Sequence, residues 1–150
     1  MTDGRLYLLP DGQEMKVFNS RDGLGLKRLL HAGVELAIIS GRSAPVVAER
    51  AAALGIKHVY QGHENKLPVF QKIIAETGIS AEHSLFTGDD LTDLPVMRAA
   101  GLGIAVADAE PQVLAEADLV TTRSGGCGAV REVCEMLLAA QEPAQGAAPE

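Results

Sequence analysis

Residues 84–101 read SLFTGDDLTDLPVMRAAG. A short strand-forming run, Ser84 to Thr87, ends on Gly88, and Asp89, Asp90 and Asp93 follow within five positions. Aspartate suits a helix start, where its carboxylate accepts free backbone N–H groups and matches the positive end of the helix dipole. The stretch therefore predicts strand, turn and helix over 84–100. Upstream the same step recurs. VELAII at 34–39 is a buried strand ending in Ser40-Gly41-Arg42, Ser43 is placed to cap a helix from Ala44 to about Leu54, HVY at 58–60 is a strand, and 66–77 is a helix closed by Gly78. Downstream, LGIAV at 102–106, a helix at 110–117, DLVT at 118–121 and a last helix at 128–140 continue the alternation. Such alternation predicts an α/β fold, a Rossmann-like three-layer arrangement of a parallel sheet with helices on both faces. RLYLL and MKVF, flanking Pro10-Asp11-Gly12, add an N-terminal β-hairpin at 5–18, after which Ser20 is placed to cap a helix through about His31. Residues 1–140 read as one domain, and the tail 141–150, QEPAQGAAPE, is expected to be disordered.

Composition narrows the function. The chain has 150 residues, 47% of them hydrophobic, and a net charge of −7. The 13 Lys and Arg are scattered, which argues against nucleic acid or an anionic membrane as partner and for a small diffusible ligand. The N-terminus lacks a signal peptide's pattern and no apolar run reaches the ~20 residues of a membrane span, so a cytoplasmic location is expected. Cys127 and Cys134 read as buried, reduced thiols on one helix face, and His31, His58, His63 and His83 as surface or edge residues without zinc-site spacing.

In a parallel α/β sheet, ligands bind at the carboxyl ends of strands. Both Ser40-Gly41-Arg42 and Gly88-Asp89-Asp90 fall there. A glycine lets the backbone approach a ligand, and the N–H groups of the next helix favour an anion such as phosphate. Capping accounts for one aspartate. Three carboxylates at one strand end require a compensating charge, for which a hard divalent cation, Mg²⁺ above all, is the natural candidate. Lys66, between a strand and a helix, can reach the same edge.

An apolar strand ending in Ser-Gly-Arg, a lone Lys, and a strand ending in Gly-Asp-Asp-x-x-Asp, in that order, resemble motifs two, three and four of the haloacid dehalogenase superfamily. The segments GRLYLLPDGQEMKVFNSRDGLGLKRL, YQGHENKLPVF, GDDLTDLPVMRAAGLGIAVADA and GGCGAVREVCEMLL resemble the 3-deoxy-manno-octulosonate 8-phosphate phosphatases over nearly all of residues 2–138. The resemblance implies a Mg²⁺-dependent phosphomonoesterase with an aspartyl-phosphate intermediate, a sugar-acid phosphate as substrate, a role in lipopolysaccharide biosynthesis, and a homotetramer built through the hairpins. It places Ser40 and the Gly41 N–H on the phosphoryl oxygens, Lys66 as charge balance, Asp89 on Mg²⁺, and Asp90 and Asp93 around it. Arg42 becomes a candidate grip on an acidic substrate, with Arg131 or Arg123 candidates for its carboxylate.

One departure is large. The superfamily's first motif, an apolar strand ending in Asp-x-Asp-Gly, supplies the nucleophile and the general acid/base, and residues 1–150 contain no Asp-x-Asp. Asp3 stands at the hairpin entry, with no strand to aim it. The expectations are a chain truncated at its N-terminus, a sheet lacking its first central strand, and no catalysis from these residues alone. The competing expectations are a non-catalytic subunit, like the small subunit of phenylphosphate carboxylases, and a phosphatase for another small phosphate.

Overall fold

The structure, a computed structural model, describes residues 1–141. The hairpin is short: β1 (Tyr7–Leu8) pairs antiparallel with β2 (Glu14–Met15), and the flanking residues expected to extend it are irregular. Then α1 (Ser20–His31), β3 (Ala37–Ser40), α2 (Pro45–Leu54), β4 (His58–Gln61) and α3 (Leu67–Thr77) form two βα steps. β5 (Leu85–Gly88), α4 (Leu94–Ala99), β6 (Leu102–Ala105), α5 (Pro111–Glu116), β7 (Leu119–Val120) and α6 (Ala129–Gln141) complete the alternation.

Local chemistry explains where the boundaries moved. Asn19, not Ser20, caps α1, its side chain accepting from the Arg21 N–H. Ser43 caps nothing; α2 has Ala44 at its cap position, and the Ala44 N–H is taken by Gln61 Oε1 from β4. Residues 91–93 form a single 3-10 turn before α4 rather than its first turn. Cys127 lies exposed in the turn ahead of α6, so only Cys134 is the buried helical thiol expected. Gln141 ends α6; the remaining residues of the tail expected to be disordered, 142–150, lie outside the described residues.

The parallel strands fall into two ladders. β3 pairs with β4, and β5 with β6 and then β7. No ladder joins β3 to β5. Among the described residues β3 and β5 each keep one unpaired edge, and both strands line a cavity of about 850 Å³. Around β3 and β4, Ala51, Leu54 and Ile56 pack with Leu26, Leu30, Leu36, Ile38 and Val59. Around β5 and β6, Leu94, Met97, Ala105, Val106, Val113 and Ala129 form a second cluster with Phe86. The two halves are tied by α1 against α6 and by α3 against α4. The central slot thus sits between two independent apolar cores, with the strand ends at its rim.

Candidate active site

The site is built on the ends of β3 and β5. β5 ends at Gly88, where no side chain fits: a Cβ would lie 2.5 Å from the Asp93 Cβ. That close approach lets Asp93, 2% exposed, fold back under the strand end. Its Oδ2 accepts the N–H groups of Asp89 (3.0 Å) and Asp90 (3.1 Å), and its Oδ1 accepts Lys66 Nζ at 2.5 Å. Lys66 stands at the cap position of α3, so the helix start and the β5 turn are joined by one buried ion pair. Asp90 is exposed and caps the next turn by accepting the Leu91 N–H at 2.7 Å.

The three aspartates therefore have three different situations. Asp93 is neutralised by Lys66, Asp90 is a solvated cap, and Asp89 is half-buried. Burial pushes the Asp89 carboxyl above the ordinary aspartate range; Asp93 beside it pushes the same way, and Lys66 only partly offsets this. An undercompensated carboxylate with oxygen donors, at the end of a strand and facing a cavity, fits a hard divalent cation. Among the described residues no group of three His, Cys, Asp or Glu side chains could hold a metal, so Asp89 does not make a metal site by itself.

At the end of β3, Ser40 Oγ accepts the Arg42 N–H at 3.2 Å and donates to the Arg42 carbonyl at 2.9 Å. A Cβ at Gly41 would meet Glu64 at 3.8 Å and the His63 carbonyl at 4.0 Å, both ordinary contact distances, so packing does not demand glycine there. Ser40, Lys66, Asp89 and Asp93 line the same cavity. Arg42 reaches outward, donating to Glu14 Oε2 at 2.7 Å. Arg131 and Arg123 lie elsewhere, in an outer recess with Arg21, Glu132 and Glu135, where Arg131 Nε pairs with Glu135 at 2.5 Å. Asp3 is used by its own turn, accepting the Arg5 N–H.

Three residues in or beside the cavity, Lys16 and Asp22 in its lining and Glu14 next to Lys16, were not singled out from sequence. Lys16 and Glu14 form a pair at 2.6 Å, and their i, i+2 spacing in a strand was the available signal. Asp22 is 6% exposed; its Oδ1 accepts the Arg131 N–H at 2.9 Å, while its Oδ2 has no partner among the described residues.

The ends of two separate parallel ladders thus bring a serine-glycine turn, a lysine and an undercompensated aspartate to one cavity, and the sequence profile of haloacid dehalogenase-like hydrolases matches residues 55–132. The 3-deoxy-D-manno-octulosonate 8-phosphate phosphatase of Escherichia coli K12 is 49% identical over 141 residues, covering 94% of this chain and 75% of that protein. The crystal structure of the Yersinia pestis phosphatase superimposes with a TM-score of 0.93 at 46% identity, covering 94% of this chain and 76% of that one. That of Moraxella catarrhalis, solved with magnesium, phosphate and KDO, gives 0.91 at 46% identity, covering 93% and 80%. The chain belongs to the 3-deoxy-D-manno-octulosonate 8-phosphate phosphatase family of the haloacid dehalogenase-like hydrolases.

Proposed function

We propose that residues 1–150 carry the phosphate- and Mg²⁺-binding part of a phosphatase acting on a 3-deoxy sugar-acid phosphate. The observation that carries this reading is the Lys66–Asp93 pair, which fixes one ammonium beside Asp89 at the rim of the slot. Ser40 Oγ and the Gly41 N–H hydrogen-bond the phosphoryl oxygens, and Lys66 stabilises the charge that builds on them during transfer. Asp93 does not touch the substrate; it holds Lys66 and the Asp89–Asp90 backbone in place. Asp89 holds Mg²⁺, which when bound supplies positive charge to the phosphoryl group. Arg42 grips the acidic end of the substrate, and Arg131, committed to Glu135, has a weaker claim to that role.

Attack on phosphorus requires a carboxylate aligned with the leaving oxygen, and in this reading the aspartates of the slot are otherwise engaged, Asp93 with Lys66, Asp22 with the Arg131 N–H and Asp89 with Mg²⁺. We place an apolar strand ending in Asp-x-Asp-Gly between β3 and β5, forming an aspartyl-phosphate and protonating the leaving alcohol. The two unpaired edges and the apolar cavity between them support this. Residues 1–140 as one domain, a cytoplasmic location and a homotetramer belong to the same reading. The tetramer is supported by the hairpin's exposed Leu6, Leu8, Met15 and Val17, since an isolated hairpin is marginal in water.

The test is phosphate release from 3-deoxy-D-manno-octulosonate 8-phosphate with Mg²⁺. Residues 1–150 alone are expected to be inactive, and the same chain preceded by the strand active. Changing the first aspartate of that strand to Asn should abolish turnover while keeping the fold. Turnover by residues 1–150 alone refutes the nucleophile assignment. A folded, Mg²⁺-binding extended chain without turnover favours the non-catalytic subunit.

A further inference from the structure

Four arginines that lie far apart in the sequence are gathered at one place outside the slot. Arg21 stands in the first turn of α1, Arg123 follows β7, and Arg131 stands in the first turn of α6. These three line an outer recess of about 630 Å³ with Thr122, Glu132 and Glu135, and Arg28 reaches the same Glu135 from α1. The two carboxylates do not balance them. Glu135 is shared, accepting from Arg131 Nε at 2.5 Å and from Arg28 Nη1. Glu132 bonds to no guanidinium: its Oε1 accepts the Thr122 N–H at 2.8 Å, and its Oε2 accepts the Thr122 hydroxyl at 2.9 Å and the Arg123 N–H at 3.1 Å. Asp22, next to Arg21 in the chain, lines the slot and not the recess. Among the described residues the guanidiniums of Arg21 and Arg123 form no ion pair. Four guanidiniums thus face two carboxylates, a local surplus of two positive charges in a chain whose net charge is −7.

The surplus sits where the backbone makes it costly. The start of a helix is the positive end of its dipole, which favours anions and disfavours cations. Arg21 and Arg131 lie in the first turns of α1 and α6, and Arg123 covers Gly128, the residue before α6. Packing nevertheless holds these side chains there. A Cβ at Gly128, whose φ is +104°, would lie 2.9 Å from Arg123 Nη1, and one at Gly25 would lie 2.9 Å from Arg131 Cδ. Both arginines are seated against buried glycines.

We propose that this recess is a second anion site, separate from the slot, that binds the phosphate group of a small molecule. A phosphate monoester carries about −1.5 to −2 at pH 7, which matches the surplus of two, whereas a single carboxylate leaves one cation uncompensated. Its oxygens suit the planar forks of paired guanidiniums. The lining holds no large apolar side chain, so the phosphate itself is the group recognised. Orthophosphate and a phosphate carried on a nucleoside share that chemistry. A clasp that merely ties α1 to α6 would need Arg21 and Arg123 for stability; surplus cations at an empty anion site would not be needed.

The experiment is equilibrium titration of the purified chain, in EDTA and low-salt buffer, with orthophosphate, adenosine 5′-monophosphate and succinate. Both phosphates should bind to Ser40→Ala, in which the phosphate turn of the slot is disabled. Adding Arg21→Met and Arg123→Met should weaken that binding about hundredfold, the loss of one charge-assisted hydrogen bond from each side chain. Equal affinities for the two phosphates identify free phosphate as sufficient, and a tighter nucleotide identifies a nucleoside-borne phosphate; either upholds the site. No phosphate binding to Ser40→Ala, binding undiminished by the two arginine substitutions, or succinate bound as tightly as orthophosphate each overturns it. Thermal unfolding separates the ligand site from a clasp. In phosphate-free buffer Arg21→Met/Arg123→Met should melt no lower than the parent, and a clearly lower midpoint overturns the inference.

Discussion

Replacing Lys66 by methionine keeps most of the side-chain volume and removes the charge. Lys66 Nζ lies 2.5 Å from Asp93 Oδ1, with the two side chains 12% and 3% exposed, so solvent screens the pair little. Removing one partner of a buried pair costs about 3–5 kcal/mol, because the survivor is left charged and out of water. Asp93 retains the two backbone N–H bonds to its other oxygen, which places the expected loss near the lower end, about 3 kcal/mol. A domain of about 150 residues loses roughly 2–4 °C in Tm per kcal/mol, so the melting midpoint should fall by about 6–12 °C. The assay is calorimetric unfolding at pH 7 in phosphate-free buffer, with the double variant Lys66→Met/Asp93→Asn beside it. Asparagine still presents one oxygen to the amides of Asp89 and Asp90, so the double variant should recover a large part of the loss. A Lys66→Met midpoint within about 3 °C of the parent, on the scale of 1 kcal/mol, would show that the pair is not the buried lock described. A double variant no more stable than Lys66→Met would show that Asp93 is not the group left stranded.

Three further outcomes follow from the same geometry. Because burial, reinforced by Asp93, raises the folded-state Asp89 pKa, folding disfavours its charged form. The chain should lose stability as pH rises from the ordinary aspartate value through the raised one. Above that window Asp89→Asn should melt higher than the parent in EDTA, and Mg²⁺ should stabilise only the parent; a lower melting point for Asp89→Asn in EDTA would refute this. Gly88→Ala should be at least as damaging as Lys66→Met, since its Cβ would lie 2.5 Å from the Asp93 Cβ, and a melting point unchanged by the substitution would contradict the packing. Burial pushes the Cys134 thiol up to about 11, whereas Cys127 is exposed. An aromatic disulfide reagent at pH 8 should therefore label one thiol quickly and the second only on unfolding; two fast thiols would refute the burial of Cys134.

Periodicity made the βα order legible because each strand is a short apolar run punctuated by glycine or an acid. Boundaries depended on partners that spacing does not reveal. Val34 to Leu36 continue the pattern of β3, yet the ladder starts at Ala37, opposite His58, because β4 is only four residues long. Gln61, 17 residues away in sequence, takes the N–H at the α2 start that Ser43 was expected to satisfy. At the site, sequence spacing showed that Asp89 and Asp93 are four residues apart. It did not show that Asp93 folds back to accept two amides of its own turn and the ammonium of a lysine 27 residues upstream. The face on which Glu14 and Lys16 emerge was fixed by alternation, but which neighbour that face meets depends on how the hairpin folds over β3.

The charges around the slot divide into those the protein balances and those it leaves open. Asp93 has Lys66, Glu14 has Lys16 and Arg42, and Arg131 has Glu135. Among the described residues Asp89 and the Oδ2 of Asp22 have no such side-chain partner, only the longer-range charge of the Met1 ammonium and, for Asp89, of Lys66, and both residues line the same cavity. Leaving a half-buried carboxylate undercompensated lowers stability in the absence of ligand. A bound cation at Asp89 relieves that penalty, so part of its binding energy is set by strain already present in the folded chain. Asp22 poses the same question for a hydrogen-bond donor. Its one satisfied oxygen is held by the Arg131 N–H of α6, and its other oxygen, without a partner among the described residues, belongs to a side chain lining the slot, where a donor entering the slot would satisfy it. Filling the slot and filling the metal position are thus stabilising for the same reason, and each should raise the melting temperature independently of turnover.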